Sequence, residues 1–348
     1  MILADSRAYP LTNFDDLPVI LDTDIGYDAD DLVATVLACK TLPLRLLITS
    51  DEHDGQRARL ARHLLNLTGR GAVKVVAGAG LAGAQQRWLC EGLIPEKIGP
   101  QTGSVIEAVR EAAAGHRFVR WIGLGPLTNL ATIVREAPEL ARTLLITQMG
   151  GAINYRDPDR AEHNLRMDPD AAIAVLRAGL HTTLVLSDTT ITAELAIDHE
   201  HVLYRRLAGS TVGWARLVAA GFDRWFDAKY PQSKMHDPLT VAAGAGTPFV
   251  GFAERRFTLG TDARMRLDLA GDCVASLSQS ADYAGFNRWQ HKVLTPGRGN
   301  PRAAPSSYWP WPAGRVDDGP IEQSWIAVPV RTSCEHEKCC SVNDFDEH

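Results

Sequence analysis

Several features that would assign this chain of 348 residues to a class at once are missing. No stretch approaches 18 uninterrupted apolar residues, and residues 1–16 contain no apolar core of a signal peptide. Lysine and arginine form no run long enough to track a phosphate polymer, and the formal net charge is -6. We therefore expect a cytoplasmic protein whose partners include neither a membrane nor a nucleic acid.

Cysteine is also scarce, and its six positions do not suggest a disulfide framework. Three cysteines are scattered, and three crowd the polar carboxy-terminal tail without paired Cys-x-x-Cys spacing. We expect reduced thiols and do not favour a zinc site in the tail.

Apolar strand-like runs alternate with helical patterns between residues 18 and 245, and no internal repeat interrupts them. The predicted strands are Pro18–Leu21, Leu44–Thr49, Val73–Ala77, Phe118–Gly123, Leu144–Met149 and Thr183–Leu186. The predicted helices are Leu32–Leu42, Arg57–Leu67, Ser104–Ala114, Leu127–Glu136, Asp168–Ala178 and Leu239–Ala245. This alternation is typical of βαβ units, so we expect an α/β fold with a mainly parallel sheet flanked by helices.

Beyond residue 252 the pattern changes to short strand-like pieces, Arg255–Leu259 and Ala263–Leu269. After Thr295 the composition turns to proline, glycine and tryptophan, which favours an irregular carboxy-terminal extension over a second folded domain. We expect one α/β domain over residues 1–314 and a tail over residues 315–348, with disorder of that tail left open.

The most informative segment is Val19–Asp31, which sets five carboxylates within ten residues directly after an apolar strand. Gly26 permits a tight turn, and a helical pattern follows. In open α/β sheets the carboxyl ends of the strands bind ligands, and an oxygen-only cluster favours Ca²⁺ or Mg²⁺. The alternative is a solvated acidic turn in which Asp30 only caps a helix.

Two other aspartate-rich loops fit this segment less well. An EF-hand that started at Asp22 would need glycine at its sixth position and glutamate at its twelfth, but Gly26 is fifth and Val33 is twelfth. An aspartyl-phosphate phosphatase would carry threonine where Gly26 stands, which weakens that hypothesis without excluding it.

Three later segments also carry groups suited to ligand binding, and each has a plainer explanation. Gly123–Asn129 reads Gly-Leu-Gly-Pro-Leu-Thr-Asn, which is also an ordinary strand-to-helix turn. Met149–Ala172 contains Met-Gly-Gly, Ala-Glu-His-Asn and Asp-Pro-Asp-Ala-Ala, where we favour Asp168 as a helix cap before Pro169. Met235–Leu239 contains His-Asp-Pro, which also commonly opens a helix.

Together and in this order, the four segments resemble the inosine-uridine preferring nucleoside hydrolases. The family's Asp-x-Asp-Pro-Gly-x-Asp-Asp is here a longer variant with two additional residues before the final Asp pair. The resemblance implies a nucleoside hydrolase-like fold and Ca²⁺-dependent hydrolysis of the N-glycosidic bond of ribonucleosides to free base and ribose. It also implies a homodimer or a homotetramer.

The resemblance further implies a role for particular residues. The implied Ca²⁺ ligands are Asp24, Asp31, Asp237 and the main-chain carbonyl of Leu124. Asp24 would also act as the general base toward a water. The implied ribose ligands are Asp30, Glu162 and Asn164, with Asn154 and His163 as further substrate-binding residues. His236 is our candidate for protonating or stabilising the departing base, with His163 as a weaker one, and Asp28 is a further acid near the ligands.

Some positions depart from the family pattern. Asp54 stands where the family has a ribose-binding Asn, and His163 replaces a Phe. Trp88 and Trp225 are candidates for stacking on a purine, although we favour packing in the core or in a loop for each. These departures leave two alternatives open: a hydrolase of a modified or pathway-specific ribosyl compound, and a non-catalytic ribose- or nucleoside-binding protein.

Overall fold

Strands and helices alternate along residues 13–295, the part of the chain that this computed structural model describes. The strands are β1 (Val19–Thr23), β2 (Leu44–Thr49), β3 (Lys74–Ala77), β4 (Val119–Gly123), β5 (Leu144–Met149), β6 (Thr182–Val185), β7 (Ala196–Ile197), β8 (Ser233–Lys234), β9 (Val250–Leu259), β10 (Met265–Leu267) and β11 (Cys273–Ala281). The helices are α1 (Asp30–Thr41), α2 (Gln56–Leu67), α3 (Val105–Ala113), α4 (Thr128–Glu136), α5 (Pro138–Ala141), α6 (His163–Met167), α7 (Pro169–Leu176), α8 (Ser187–Thr190), α9 (Val202–Ala208), α10 (Gly213–Asp227), α11 (His236–Gly244) and α12 (Tyr283–Val293).

Nine of these strands form one sheet, in the order β10-β9-β11-β6-β5-β4-β1-β2-β3. Neighbouring strands in the part β11-β6-β5-β4-β1-β2-β3 pair in parallel, and β9 pairs antiparallel with both of its neighbours, β10 and β11. The chain order reverses between β1 and β4, so their loops diverge and leave a crevice at the carboxyl edge. The register pairs Asp22 with Gly123, which brings the segments after β1 and β4 to the same level.

Apolar side chains cover both faces of the sheet. In β1 the alternation directs Val19 and Leu21 into one core, with α1, α2, α10 and α11. Ile20 enters the other core, with α3, α4 and α7. Strands buried on both faces read as continuous apolar runs, which is why β1, β2 and β5 are recognisable from sequence.

Side chains fix the start of several helices. Ser104 caps α3 by accepting from the backbone N–H of Glu107, and Asp168 caps α7 by accepting from that of Ala171 at 3.0 Å. Pro169 occupies the first helical position, as expected.

The expected fold class is confirmed: a mainly parallel sheet flanked by helices. β2 and β5 begin and end where the sequence pattern places them. The expected pieces after residue 252 were wrong in extent, because β9 starts five residues earlier, at Val250, and β10 covers only Met265–Leu267. β11 and α12 then complete the sheet and its cover, which the sequence pattern missed.

Other expectations concern residues outside the described range. The boundary between residues 314 and 315, the tail and its three cysteines lie there. Within residues 13–295, Cys39, Cys90 and Cys273 are free and buried. No helix in this range is long and apolar enough to cross a membrane.

Candidate active site

The loop between β1 and α1 carries the acidic run into the protein interior. Asp24, Asp30 and Asp31 are all less than a tenth exposed, and Asp28 is partly buried. The alternative in which Asp30 caps α1 is wrong, because Ala29 occupies that position and no side chain caps the helix. The carboxylates of Asp30 and Asp31 instead turn toward other parts of the chain.

Asp30, Asp31 and Asp237 meet in one cluster, which we call the carboxylate trio. One carboxylate oxygen from each lies within 4.8 Å of the others. The backbone N–H of Asp237, in the first turn of α11, donates to Asp30 at 3.1 Å, and the hydroxyl of Thr23 donates to Asp31. The packing of α1 against α11 therefore joins acids that are about 200 residues apart in the chain.

Burial makes the negative charge of these groups costly. It raises the pKa of Asp30, Asp31 and Asp237 well above the ordinary value, and the neighbouring carboxylates raise it further. Burial also raises the pKa of Asp24 to about 6 and that of Asp28 to about 7. A hard divalent cation would balance these charges, so the donor set fits a metal with oxygen ligands.

Asp24 and Leu124 lie at the ends of the two strands that flank the crevice. A Cβ placed on Gly125 would come within 2.7 Å of Asp24 Oδ1, so the Asp24 carboxylate lies directly against the backbone that follows β4. The carbonyl of Leu124 accepts a hydrogen bond from Asn164 Nδ2 at 2.6 Å. A carbonyl oxygen has a second lone pair, which remains for another ligand.

Glu162 organises the next wall of the site. Its Oε2 accepts from the backbone N–H groups of Gly151 and Asn164, both at 3.0 Å, and of Leu165 at 3.3 Å, so it caps α6. Asn164 uses its amide hydrogens on the carbonyls of Leu124 and Met149. The second oxygen of Glu162 and Oδ1 of Asn164 are the acceptors left for the hydroxyl groups of a ligand.

The two histidines predicted for the site are held differently. Nδ1 of His236 lies 2.6 Å from Thr190 Oγ1, and burial lowers the pKa of His236 to about 3. Its imidazole is therefore neutral at physiological pH. Nδ1 of His163 lies 3.3 Å from Arg166 Nη2, and burial also lowers the pKa of His163.

Other sequence candidates are exposed or packed against neighbouring residues. Asn154 is exposed and contacts Asp188, which accepts from its backbone N–H at 2.7 Å and from its Nδ2 at 3.2 Å. The Asp54 side chain is 89% exposed. Trp225 stacks on Tyr230 at 3.8 Å between ring centroids, and the ring of Trp88 covers Gly26.

Sequence analysis missed three charged residues next to the acidic loop: Asp51, Arg57 and Arg87. Asp51 is fully buried and forms ion pairs with Arg57 at 2.8 Å and with Arg87 at 2.6 Å. A signal was available, because Arg57 shares the buried stripe of α2 with Leu60, Ala61 and Leu64. A charged residue on an apolar stripe indicates a buried partner.

Tyr27 and Asp28, in the longer acidic motif, contact the segment that leads to α11. The hydroxyl groups of Tyr27 and Tyr230 lie 2.8 Å apart, and Ser233 donates to Asp28. This segment leads directly to His236 and Asp237, so the longer acidic loop contacts the chain that positions these two residues.

Comparison with known proteins identifies the family. The family model described as inosine-uridine preferring nucleoside hydrolase matches residues 19–293. The chain is 26% identical over 246 residues to a pyrimidine-specific ribonucleoside hydrolase of Citrobacter koseri, covering 65% of this chain and 78% of that protein. It is 26% identical over 306 residues to a non-specific ribonucleoside hydrolase of Klebsiella pneumoniae, covering 80% and 98%.

Solved structures share the fold. The purine-preferring ribonucleoside hydrolase from Gardnerella vaginalis aligns with a TM-score of 0.67 at 19% identity, covering 80% of this chain and 98% of that one. The inosine-uridine preferring nucleoside hydrolase from Bacillus anthracis aligns with a TM-score of 0.62 at 17% identity, covering 80% and 99%. The chain therefore belongs to the inosine-uridine preferring nucleoside hydrolase family and is a hydrolase that acts on N-glycosyl compounds.

Proposed function

We propose that this protein hydrolyses the N-glycosidic bond of ribonucleosides and releases free base and ribose in a Ca²⁺-dependent reaction. The observation that carries the proposal is the buried carboxylate trio. It lies at the same edge of the sheet as Glu162 and Asn164, each of which has a side-chain oxygen that can accept from a hydroxyl group of a ligand. The family match and the ribonucleoside hydrolases named above support the same reaction class.

The proposed Ca²⁺ ligands are Asp24, Asp31, Asp237 and the Leu124 carbonyl. All are oxygen donors, which suit a hard cation better than a soft one. The carboxylate trio includes Asp30 as well, so Asp30 borders both the cation and the sugar in this proposal. When bound, the cation would lower the pKa of a water and anchor the ribose diol.

The protein's own residues would position the sugar. We assign hydrogen bonds to the ribose hydroxyls to Asp30, Glu162 and Asn164, and more peripheral contacts to Asn154 and His163. Such a set of acceptors discriminates for a sugar, because a ligand without hydroxyl groups would leave these buried oxygens without partners. Cleavage of the N-glycosidic bond develops positive charge on the ribose ring, which the surrounding carboxylates stabilise.

Proton handling falls to two residues. Asp24 is the proposed general base toward the attacking water. His236 is neutral, so we assign it a hydrogen bond from its second ring nitrogen to the departing base, with Thr190 orienting the ring. In this role His236 stabilises the leaving group without first carrying a positive charge.

The proposal does not extend to a particular base. The similar proteins are described as pyrimidine-specific, non-specific and purine-preferring, and a purine is only one of the candidates here. A homodimer or a homotetramer and a cytoplasmic location are also part of the proposal, and sedimentation of the purified protein tests the first of these.

A modified or pathway-specific ribosyl compound is the second candidate substrate. It is favoured by the exposed Asp54, which stands at the position of a family ribose ligand, and by the titratable His163 beside Arg166. Measuring the release of free ribose from the common nucleosides separates the two candidate substrates, because a specialised hydrolase would leave these nucleosides intact.

The test is release of free ribose from adenosine, inosine, guanosine, uridine and cytidine, with calcium present and after chelation. We expect release that chelation abolishes and calcium restores, and D24N should abolish turnover while the protein stays folded. D170N, at an exposed position of α7, is the matched control and should keep full activity. Calcium-loaded protein that binds these nucleosides but cleaves none, or a D24N variant with full turnover, would contradict the proposal.

A further inference from the structure

Arg57 is the most completely bonded cation beside the candidate site. Its side chain is fully buried, and all five N–H groups of its guanidinium have an oxygen partner. The partners are the Asp51 carbonyl at 2.6 Å, the Asp51 carboxylate at 2.8 Å, the Arg87 carbonyl at 2.9 Å, the Ile25 carbonyl at 3.0 Å and the Asp24 carbonyl.

These partners come from three separate segments. Asp24 and Ile25 belong to the acidic loop after β1, Asp51 follows β2, and Arg87 ends a short 3₁₀ turn at residues 84–87. A planar guanidinium fixes its acceptors in direction as well as in distance. Arg57 therefore sets the path of the acidic loop relative to two neighbouring loops.

The charge on Arg57 is balanced locally. The Asp51 carboxylate, which is buried, also receives Nε and Nη2 of Arg87, at 2.8 and 2.6 Å. Asp51 itself adopts a φ of 48°, a left-handed conformation that aspartate tolerates better than most residues. The positive charge of Arg57 also acts on Asp24, where it opposes the effect of burial on the pKa of that carboxyl.

We propose that Arg57 is a positioning residue for the calcium site: by holding the Asp24 and Ile25 carbonyls, it fixes the acidic loop in the conformation that binds the cation. This inference rests on the proposed function, because it takes Asp24 as a calcium ligand. Arg57 itself touches neither the cation nor the substrate. Lysine at this position would keep the charge but could not reproduce five directed hydrogen bonds.

A purely structural role is the competing explanation, and stability alone does not distinguish the two. Arg120 provides the matched control, because it is also buried and also donates to backbone carbonyls, at Asp15, Leu17 and, at 3.5 Å, Gly244. Asp15 and Leu17 precede β1 and Gly244 is the last residue of α11, so these contacts lie at the opposite edge of the sheet from the acidic loop. R120K should therefore lower stability without reaching the calcium site.

The experiment is calcium titration by isothermal calorimetry on the full chain as wild type, R57K and R120K, with thermal unfolding of each in chelator. We expect both variants to unfold at a lower temperature. R57K should bind calcium roughly 10- to 100-fold more weakly, the usual loss when a group that orients a metal ligand is removed. R120K should bind calcium like the wild type.

Equal calcium affinity in R57K and wild type would overturn the inference. If R57K fails to fold, D51N replaces it: loss of the carboxylate loosens the same guanidinium, so calcium affinity should again fall, and an unchanged affinity would overturn the inference. Wild-type protein that binds no calcium while releasing ribose would overturn the proposed cofactor and this inference together.

Discussion

Replacement of Glu162 separates its observed role, capping α6, from its proposed role, binding the substrate. One oxygen, Oε2, accepts three backbone N–H groups, while the other is free for a ribose hydroxyl. In E162Q the amide oxygen can still accept from the backbone, but an NH₂ group replaces the free oxygen. In E162A both functions disappear.

The expected magnitudes follow from these contacts. A hydrogen bond to a charged group contributes about 1.5–3 kcal/mol, so E162Q should lower kcat/KM roughly 10- to 100-fold and leave stability nearly unchanged. E162A also removes the cap and leaves buried N–H groups without partners, which costs about 3 kcal/mol. For a chain of this size that loss corresponds to a fall in Tm of about 4 °C.

The assay combines ribose-release kinetics with thermal unfolding of the same preparations. E254Q, at an exposed position of β9, is the matched control and should change neither quantity. If E162Q kept the wild-type kcat/KM, the assignment of Glu162 to the ribose would fail. If E162A unfolded at the wild-type temperature, the capping argument would fail.

Three further predictions concern the acidic loop. S233A and D28A should each lower the free energy of unfolding by about 1.5–3 kcal/mol in urea denaturation, and the double variant by less than the sum, because both changes remove the hydrogen bond that Ser233 donates to Asp28; strictly additive effects would contradict this. In G125A the added methyl would lie 2.6 Å from Ser50 Oγ and 2.7 Å from Asp24 Oδ1, so we expect a large fall in kcat and only a small fall in Tm; full activity would show that Asp24 has room to move. In calcium-free protein the pKa of Asp24 is raised to about 6 and that of Asp28 to about 7, against 3.8 in the unfolded chain. The folded state therefore binds these protons more tightly than the unfolded state, and the stabilisation that results is lost as the pH rises through those values. The increase in Tm caused by calcium should therefore be larger at about pH 8 than at about pH 5, and a constant increase would contradict the argument.

The parallel sheet and the convergence of distant motifs are the parts that sequence predicts well. β2 and β5 are six-residue segments rich in leucine and isoleucine, each next to a proline or a glycine, so their bounds follow from composition. The motifs after β1, β4 and β5 meet because the carboxyl ends of parallel strands lie at one edge of the sheet. The cap at Asp168 is equally local, since Pro169 fixes the first helical position.

The orientation of individual carboxylates could not be predicted. The family resemblance assigns Asp30 to the sugar alone, yet its carboxylate also joins the trio, because its partner is the backbone N–H of Asp237 on another helix. That contact depends on the packing of α1 against α11. Similarly, nothing local to β11 (Cys273–Ala281) indicates that it pairs with β6 (Thr182–Val185), which is about 90 residues earlier.

The network around Arg57 is only partly predictable from the sequence. Its position on the apolar stripe of α2 indicates burial, but the identity of its partners depends on how three loops meet. The role of Asp51 is likewise a tertiary property, although the run Asp51–Asp54 is visibly acidic in the sequence.

The central claim is that one divalent cation binds between the acidic loop after β1 and Asp237 on α11. A crystal structure of the protein grown with calcium tests this most directly. We predict one ion with oxygen atoms of Asp24, Asp31, Asp237 and the Leu124 carbonyl at roughly 2.3–2.6 Å. A map that contains no ion among these residues, at a calcium concentration that supports full ribose release, would contradict the account.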